Sequence, residues 1–558
     1  MARCYRDLNL LLDLLLWRMG IERSYRVSVQ RKIKIRTTDG AELLTDLYLA
    51  CPVTRRPVIL VRSPYGRSVL LASMTAYPFA AQGYHVVLQS CRGTFGSTGK
   101  FDPHHDEQRD GLSTIEWIKQ QTWYGGKIAT FGGSYLGYTQ WALAASAGPE
   151  VAAMAMQVTL SDFSQMTYAG NSIALENAFS WTRTLSLAGK QRLLALRMLL
   201  PGMRKRLALT EQQWRTLPLN AMDQALIGER VGFWQDWMKH SSADDPWWQP
   251  MNFHSSIPDV RRRITMVAGW HDIFVPWQMR DFASLRAAGC DVRITVGPWG
   301  HTSLDVPRTG VRDALEWFDQ HLLGKNALPV KPVKPVKPVK LYLMGADEWR
   351  FFDDWPPRET ILERWHLQPG RALQPHAPPD SSPDPYTYDP ANPTPSIGGP
   401  ALMDASFAVD NAQLESRPDV LTYTSPPLTS HRDLVGTATA AIYLSSSAAS
   451  VDVFVRVCDV DGSGLSKNIC DGLRRVTVQS NAPQCVRVEL WPTAYRLHQG
   501  HRLRVQISSG AFPRYARNLG HGDLANTVGM SPASQSIFHS PGSPSSLTLP
   551  FLPYGDSH

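Results

Sequence analysis

Cysteine is scarce and scattered in this 558-residue chain: Cys4, Cys51, Cys91, Cys290, Cys458, Cys470 and Cys485 are odd in number and form no CxxC pair. That pattern excludes a disulfide framework and a cysteine-built zinc site, and predicts reduced thiols in a cytoplasmic protein. Charge of one sign is not concentrated either: 19% of residues are charged, with 57 basic against 49 acidic side chains spread along the chain. Four of the positive charges (Lys331, Lys334, Lys337, Lys340) sit in one low-complexity tract. No helix carries a concentrated basic face and no zinc-finger or RNA-binding signature occurs, so nucleic acid is excluded as a partner. Long hydrophobic runs are missing as well. The nearest, Leu8 to Trp17, follows Arg3 and Arg6, is interrupted by Asp13, is closed by Arg18, and precedes no small-residue cleavage site. It is too short to span a bilayer. It reads as an amphipathic helix packed on the protein, with no firm membrane association.

What is present is the composition of a globular enzyme, 43% hydrophobic with eighteen Trp, and too long for one core. After an N-terminal extension (1–26), β-rich runs alternate with helical ones over 27–160. Pro57–Arg62, Tyr84–Gln89 and Lys127–Phe131 read as strands and Glu107–Gln120 as a helix, the pattern of a largely parallel sheet flanked by helices. Over 161–258 strand signals vanish and Leu-, Met-, Arg- and Trp-rich helical stretches such as Lys190–Leu200 and Glu211–Met222 take over. The α/β pattern resumes over 259–328, with strands Arg263–Ala268 and Val292–Val296 and the helix Val311–Leu323. A helical insertion between strands of one sheet has the form of a cap. A Pro-Val-Lys repeat at 329–340 is an extended, solvated linker, and 341–558 reads as an all-β sandwich or jelly roll, with strand-like runs such as Thr437–Leu444, Val451–Val457, Arg474–Val478 and Arg502–Ile507.

The chemistry centres on Lys127-Ile-Ala-Thr-Phe-Gly-Gly-Ser-Tyr-Leu-Gly137. A strand that turns sharply into a helix at Ser134 lifts the hydroxyl above the sheet edge. The same turn sets the Tyr135 N–H at the helix N-terminus, where an oxyanion can bind. The usual spacing is Gly-x-Ser-x-Gly, and here the second glycine comes one residue late, at Gly137. By itself the motif is as compatible with a structural glycine-rich turn as with catalysis. A serine nucleophile needs a base and an acid that orients it. Two later strand ends supply them in the expected order: Asp272 in Gly269-Trp-His-Asp272 as the orienting carboxylate, and His301 in Gly297-Pro-Trp-Gly-His301 as the base. Asp272 as a helix cap, His301 as a surface histidine and His271 as a rival base are the competing readings, and the shared strand-end order favours the triad. The second oxyanion donor comes from the loop after Val58–Arg62, where the Tyr65 hydroxyl can donate. A loop aromatic packed for stability fits Tyr65 equally well.

The segments Pro64-Tyr65, Arg92-Gly-Thr-Phe-Gly-Ser-Thr-Gly99, Glu107-x-x-Asp110-Gly111, Gly132-x-Ser134-Tyr135-Leu136-Gly137, Gly269-Trp270-x-Asp272 and Gly297-Pro298-Trp299-x-His301 resemble the cocaine-esterase-like hydrolases. These are grouped with the X-Pro dipeptidyl-peptidases in one wider α/β-hydrolase family. Tyr423-Thr-Ser-Pro-Pro-Leu428 and Phe512-Pro-Arg-Tyr-x-Arg-Asn518 extend the resemblance to the C-terminal part. In that family the displaced glycine is the rule. The resemblance implies an α/β-hydrolase core with an inserted helical cap and a C-terminal jelly roll, and neither a metal nor another cofactor. It implies Ser134, His301 and Asp272 as the triad, Tyr65 and the Tyr135 amide as the oxyanion hole, and Phe274 and Tyr168 as pocket aromatics. Ser90 and Ser113 replace common family aspartates and read as changes in a supporting salt-bridge network. The expected activity is cleavage of a carboxylic ester, or an amide, through an acyl-enzyme, on a small-molecule ester or short peptide-like substrate. The alternatives are an X-Pro dipeptidyl-peptidase or α-amino-acid ester hydrolase, gripping an ammonium with Glu176, Asp223, Asp244 or Asp245, and an inactive hydrolase that binds glycan or protein. Oligomeric state stays open, a homo-oligomer included.

Overall fold

Apolar runs, β-branched in most strands, underlie the first part of the fold. In the computed structural model, which describes residues 13, 16–190, 208–324, 337–402, 407–479, 482–520, 523 and 525–553, they form a sheet in the order β1-β2-β4-β3-β5-β6-β7-β8. The strands are β1 (Arg26–Arg36), β2 (Glu42–Cys51), β3 (Arg56–Ser63), β4 (His85–Ser90), β5 (Tyr124–Gly133), β6 (Val151–Gln157), β7 (Arg263–His271) and β8 (Val292–Gly300). From β4 through β3, β5 and β6 to β7 the pairing is parallel, so the C-terminal ends of these strands share one edge. Parallel strands are covered on both faces, and β4 is buried at every position. The helices α1 (Glu107–Lys119), α2 (Tyr135–Ala144) and α3 (Asp305–Leu322) belong to the same unit. Val311, Ala314, Trp317 and Phe318 of α3 pack with Ile59, Val61, Val86, Leu88, Ala129 and Phe131.

The chain divides into two compact units, one holding residues 1–163, 250–269 and 277–339, the other 164–249, 270–276 and 340–558. The second unit therefore joins the helical insertion to the all-β domain, a grouping that periodicity along the chain does not reveal. Its contacts are specific: the Glu176 N–H donates to the Pro513 carbonyl (3.1 Å) and Arg517 Nη2 to the Arg215 carbonyl (2.8 Å). In the β domain Ser450–Val460 lies between Ser466–Thr477 and Arg502–Ser508, all antiparallel. Buried Asp471 holds Arg456 at 2.9 Å and Arg514 at 2.6 Å, which gives the Phe512–Asn518 segment a structural task. Among the described residues no helix is long and apolar enough to cross a membrane. Leu16 packs with Tyr77 and Ala81. The expected helix at Lys190–Leu200 lies outside the described residues beyond its first residue, and so do most of the N-terminal helix and of the Pro-Val-Lys repeat.

Candidate active site

Ser134 sits between β5 and α2 with φ +56° and ψ −126°, a conformation that costs a non-glycine residue about 1–3 kcal/mol and persists only when the surroundings hold it. They do so on several sides. The Ser134 N–H donates to the carbonyls of Gln157 (3.0 Å) and Val158 (3.2 Å). Its own carbonyl accepts from Thr159 Oγ1 at 2.9 Å and from the N–H groups of Gly137 and Tyr138. Gln140, buried in α2, donates to the carbonyls of Gly132 (3.0 Å) and Ala155 (3.1 Å), tying the helix to the ends of β5 and β6. No motif marks Gln140 in the sequence.

The irregular glycine spacing has a steric cause. A Cβ on Gly132 would overlap that of Leu136, so the position two residues after the serine can carry a side chain only because Gly132 carries none. A Cβ on Gly137 would lie 2.5 Å from Thr159 Cβ, 2.6 Å from its Cγ2 and 2.7 Å from its Oγ1. The second glycine is required where α2 crosses Thr159, three residues after the serine.

His301 follows β8 directly, and its Nε2 is 3.0 Å from Ser134 Oγ. Trp299, two residues earlier, packs on Val158 beside the serine turn, Val267 of β7 and Val306 of α3, which anchors the histidine's loop. Asp272 follows β7 directly, is fully buried, and accepts the Phe274 N–H at 2.8 Å. His271 turns elsewhere. Its ring stacks face to face on Phe407 (4.8 Å between centroids, 5°), and burial pushes its imidazole down to about 4. Tyr65 lies half-buried in the turn after β3, with its N–H on Ser63 Oγ at 3.0 Å. Because β3 and β5 are parallel neighbours in register Leu60–Thr130, Tyr65 and Ser134 leave the sheet at adjacent strand ends.

Tyr135 places its ring in the core. Its hydroxyl donates to Glu107 Oε1 (2.8 Å) and accepts the His104 N–H (2.9 Å). Burial first, and then the Glu107 charge, push this phenol well above its ordinary value, so it stays neutral. The Tyr135 side chain is thereby committed to this buried pair rather than to the solvent edge of the sheet. Arg67 donates to Ser90 Oγ and pairs with Asp46 at 3.3 Å, so a neighbouring strand supplies the carboxylate that position 90 lacks. Ser113 Oγ donates to the Arg109 carbonyl within α1 (2.9 Å) and accepts the Thr38 N–H (3.4 Å).

Tyr168 is buried in the helical insertion, its hydroxyl on the Trp237 carbonyl at 2.5 Å and its ring edge-on to Trp248. Phe274 is buried beside Asp272. Of the four ammonium-gripping candidates, Asp223 is fully buried and accepts from the Val231 N–H (2.7 Å) and Gln235 Nε2 (2.9 Å). Asp245 accepts the Trp247 N–H (2.8 Å) and meets His240 Nδ1 at 3.0 Å. Asp244 is exposed and Glu176 half-buried. Among the described residues no group of three or more His, Cys, Asp or Glu side chains has metal-binding geometry.

Residues 39–303 match the model of the X-Pro dipeptidyl-peptidase S15 family, and residues 332–548 that of the X-Pro dipeptidyl-peptidase C-terminal non-catalytic domain. Cocaine esterase of Rhodococcus sp. (strain MB1 Bresler) is 29% identical over 574 residues, covering 94% of this chain and 99% of the esterase. Two solved structures share the fold at 20% identity. An aminopeptidase from a marine sediment Thaumarchaeota archaeon has a TM-score of 0.80 over 95% of this chain and 97% of its own. An α-amino acid ester hydrolase has a TM-score of 0.75 over 94% and 96%. Both parts of the family's architecture lie in order along one chain, with a strained serine at hydrogen-bond distance from a histidine. The chain belongs to the cocaine-esterase-like and X-Pro dipeptidyl-peptidase family of α/β-hydrolases and is a serine hydrolase.

Proposed function

We propose that this enzyme cleaves carboxylic esters through an acyl-enzyme, with Ser134 as nucleophile, His301 as general base and acid, and Asp272 as the carboxylate that orients His301. The observation that carries the reading is the 3.0 Å approach of His301 Nε2 to the hydroxyl of a serine held at φ +56°. Ser134 Oγ attacks the substrate carbonyl carbon while Nε2 takes its proton. The tetrahedral oxyanion is met by the Tyr135 N–H and the Tyr65 hydroxyl, donors whose individual removal costs about 3–4 kcal/mol in well-studied cases. The imidazolium then protonates the leaving alcohol. Water, deprotonated by the same nitrogen, attacks the acyl carbon and releases the acid, and the proton returns to Ser134.

An ester is favoured over an Xaa-Pro peptide on two grounds. Cocaine esterase aligns along nearly the whole chain. In addition, Asp223 and Asp245 are committed to backbone and side-chain donors within the insertion rather than left to receive an ammonium. Comparison of kcat/KM for a nitrophenyl ester and for an Xaa-Pro anilide tests this. The ester is expected to be the better substrate and both activities to vanish in Ser134→Ala; preference for the anilide would replace the ester reading with the peptidase one.

A further inference from the structure

Glu107 occupies a position that no catalytic role requires, yet it joins the two segments that carry the oxyanion donors. One carboxylate oxygen, Oε1, accepts the Tyr135 hydroxyl at 2.8 Å. The other, Oε2, pairs with Arg62 Nη1 at 2.7 Å. Tyr135 is the residue whose amide faces the oxyanion, and Arg62 is the penultimate residue of β3, three before Tyr65. Every member is buried: Arg62 is 1% exposed, Glu107 5% and Tyr135 4%. Arg62 is fixed further by Gln89 Oε1 (3.0 Å to Nε) and by the Glu107 carbonyl (2.7 Å to Nη1). Tyr135 is fixed further by the His104 N–H. The bridge thus starts on α1, reaches the strand that ends in the Tyr65 loop, and reaches the first turn of α2.

We infer that Glu107 is a positioning residue that sets the separation between the Tyr65 hydroxyl and the Tyr135 amide, and hence the fit of the oxyanion hole to the tetrahedral intermediate. The inference deepens the proposed function and rests on its assignment of those two donors. Both donors must lie near 2.7–3.1 Å from the oxyanion and not from the ground-state carbonyl. A shift in either strand end therefore acts on the transition state and leaves substrate binding nearly unchanged. A buried carboxylate with two different partners suits this task, because neither partner can move without breaking a charge-assisted hydrogen bond.

The test is a cycle of Glu107→Gln, Tyr65→Phe and the double variant, assayed for kcat and KM on a nitrophenyl ester, with Tyr135→Phe as a milder probe that keeps the ring. Glu107→Gln is expected to lower kcat about tenfold or more with KM within about threefold, and Tyr135→Phe to act in the same direction. The cost of Glu107→Gln should shrink in the Tyr65→Phe background, because a bridge that aligns the Tyr65 donor has less to align once that donor is gone. Unchanged kcat in both Glu107→Gln and Tyr135→Phe, or a full and additive cost in the Tyr65→Phe background, overturns the bridge. If Tyr65→Phe itself leaves kcat intact, the assignment of the hole fails and the bridge with it. A slow Tyr65→Phe beside wild-type kcat in both Glu107→Gln and Tyr135→Phe rejects the bridge alone.

Discussion

Gly137→Ala tests how tightly the serine turn is built. The new methyl would stand 2.5 Å from Thr159 Cβ, where ordinary contact begins near 3.4 Å. The first turn of α2 and Thr159 must therefore separate by about 1 Å. Overpacking of this kind costs about 1–3 kcal/mol, and alanine's better helix propensity returns about 1 kcal/mol, so the loss of stability is small. Activity is affected more. Thr159 Oγ1 holds the Ser134 carbonyl at 2.9 Å, and a displacement of about 1 Å at a reacting group can reduce a rate 100-fold. Steady-state hydrolysis of a nitrophenyl ester should show kcat down about 100-fold, with a melting temperature within a few degrees of wild type. Both Thr159→Gly and Thr159→Ala lose the Oγ1 bond, but only Thr159→Gly removes the obstructing Cβ, so it should restore more of kcat in the Gly137→Ala background than Thr159→Ala does. Wild-type kcat in Gly137→Ala, or equal rescue by Thr159→Ala and Thr159→Gly, would refute the steric account.

Three further outcomes follow from the same packing. Moving the second glycine to its usual place, with Leu136→Gly and Gly137→Leu together, should abolish ester turnover, since the side chain would then face Thr159; retained turnover would show the spacing to be interchangeable. His271 is held at about 4 in the folded chain against about 6.5 unfolded, so as pH falls from 6.5 to 4 the unfolded chain binds a proton that the folded one does not. Stability should drop by as much as about 1.4 kcal/mol per pH unit from this residue. His271→Phe, which keeps the stack on Phe407, should flatten that slope in denaturant melts, and an unchanged slope would count against it. Asp471→Asn leaves buried Arg456 and Arg514 without their shared carboxylate and should destabilise the second unit by about 3–5 kcal/mol; a melting curve like that of wild type would contradict the network.

The serine turn and the fold class were legible because local rules enforce them. A strand-to-helix turn needs glycines, and parallel strands place their next residues at one edge, so chain order is enough to put Ser134, Asp272 and His301 forward as a triad. Val151–Gln157 is not legible as a strand: after Val151 the run Ala-Ala-Met-Ala-Met-Gln consists of helix formers, and its conformation comes from parallel pairing with β5 and β7. The Ser466–Thr477 strand is legible only from Arg474 onward, because Lys467, Asn468 and Asp471 look like loop residues until their partners are known. Glu107 and Asp110 stood out in a motif, but their common neighbour Arg62 is 45 positions from Glu107, a separation at which sequence patterns carry no geometry. In the sequence, Tyr135 is conspicuous only for its amide. That its hydroxyl reaches Glu107 depends on the packing of α1 against α2.

The most direct test is to trap the acyl-enzyme. Rapid acid quench during turnover of a slowly deacylating nitrophenyl ester, followed by peptide mass spectrometry, should find one acyl group per chain on the peptide carrying Ser134, with none in Ser134→Ala and no turnover in that variant. An acyl group on another residue, or ester turnover that survives Ser134→Ala, would contradict the account.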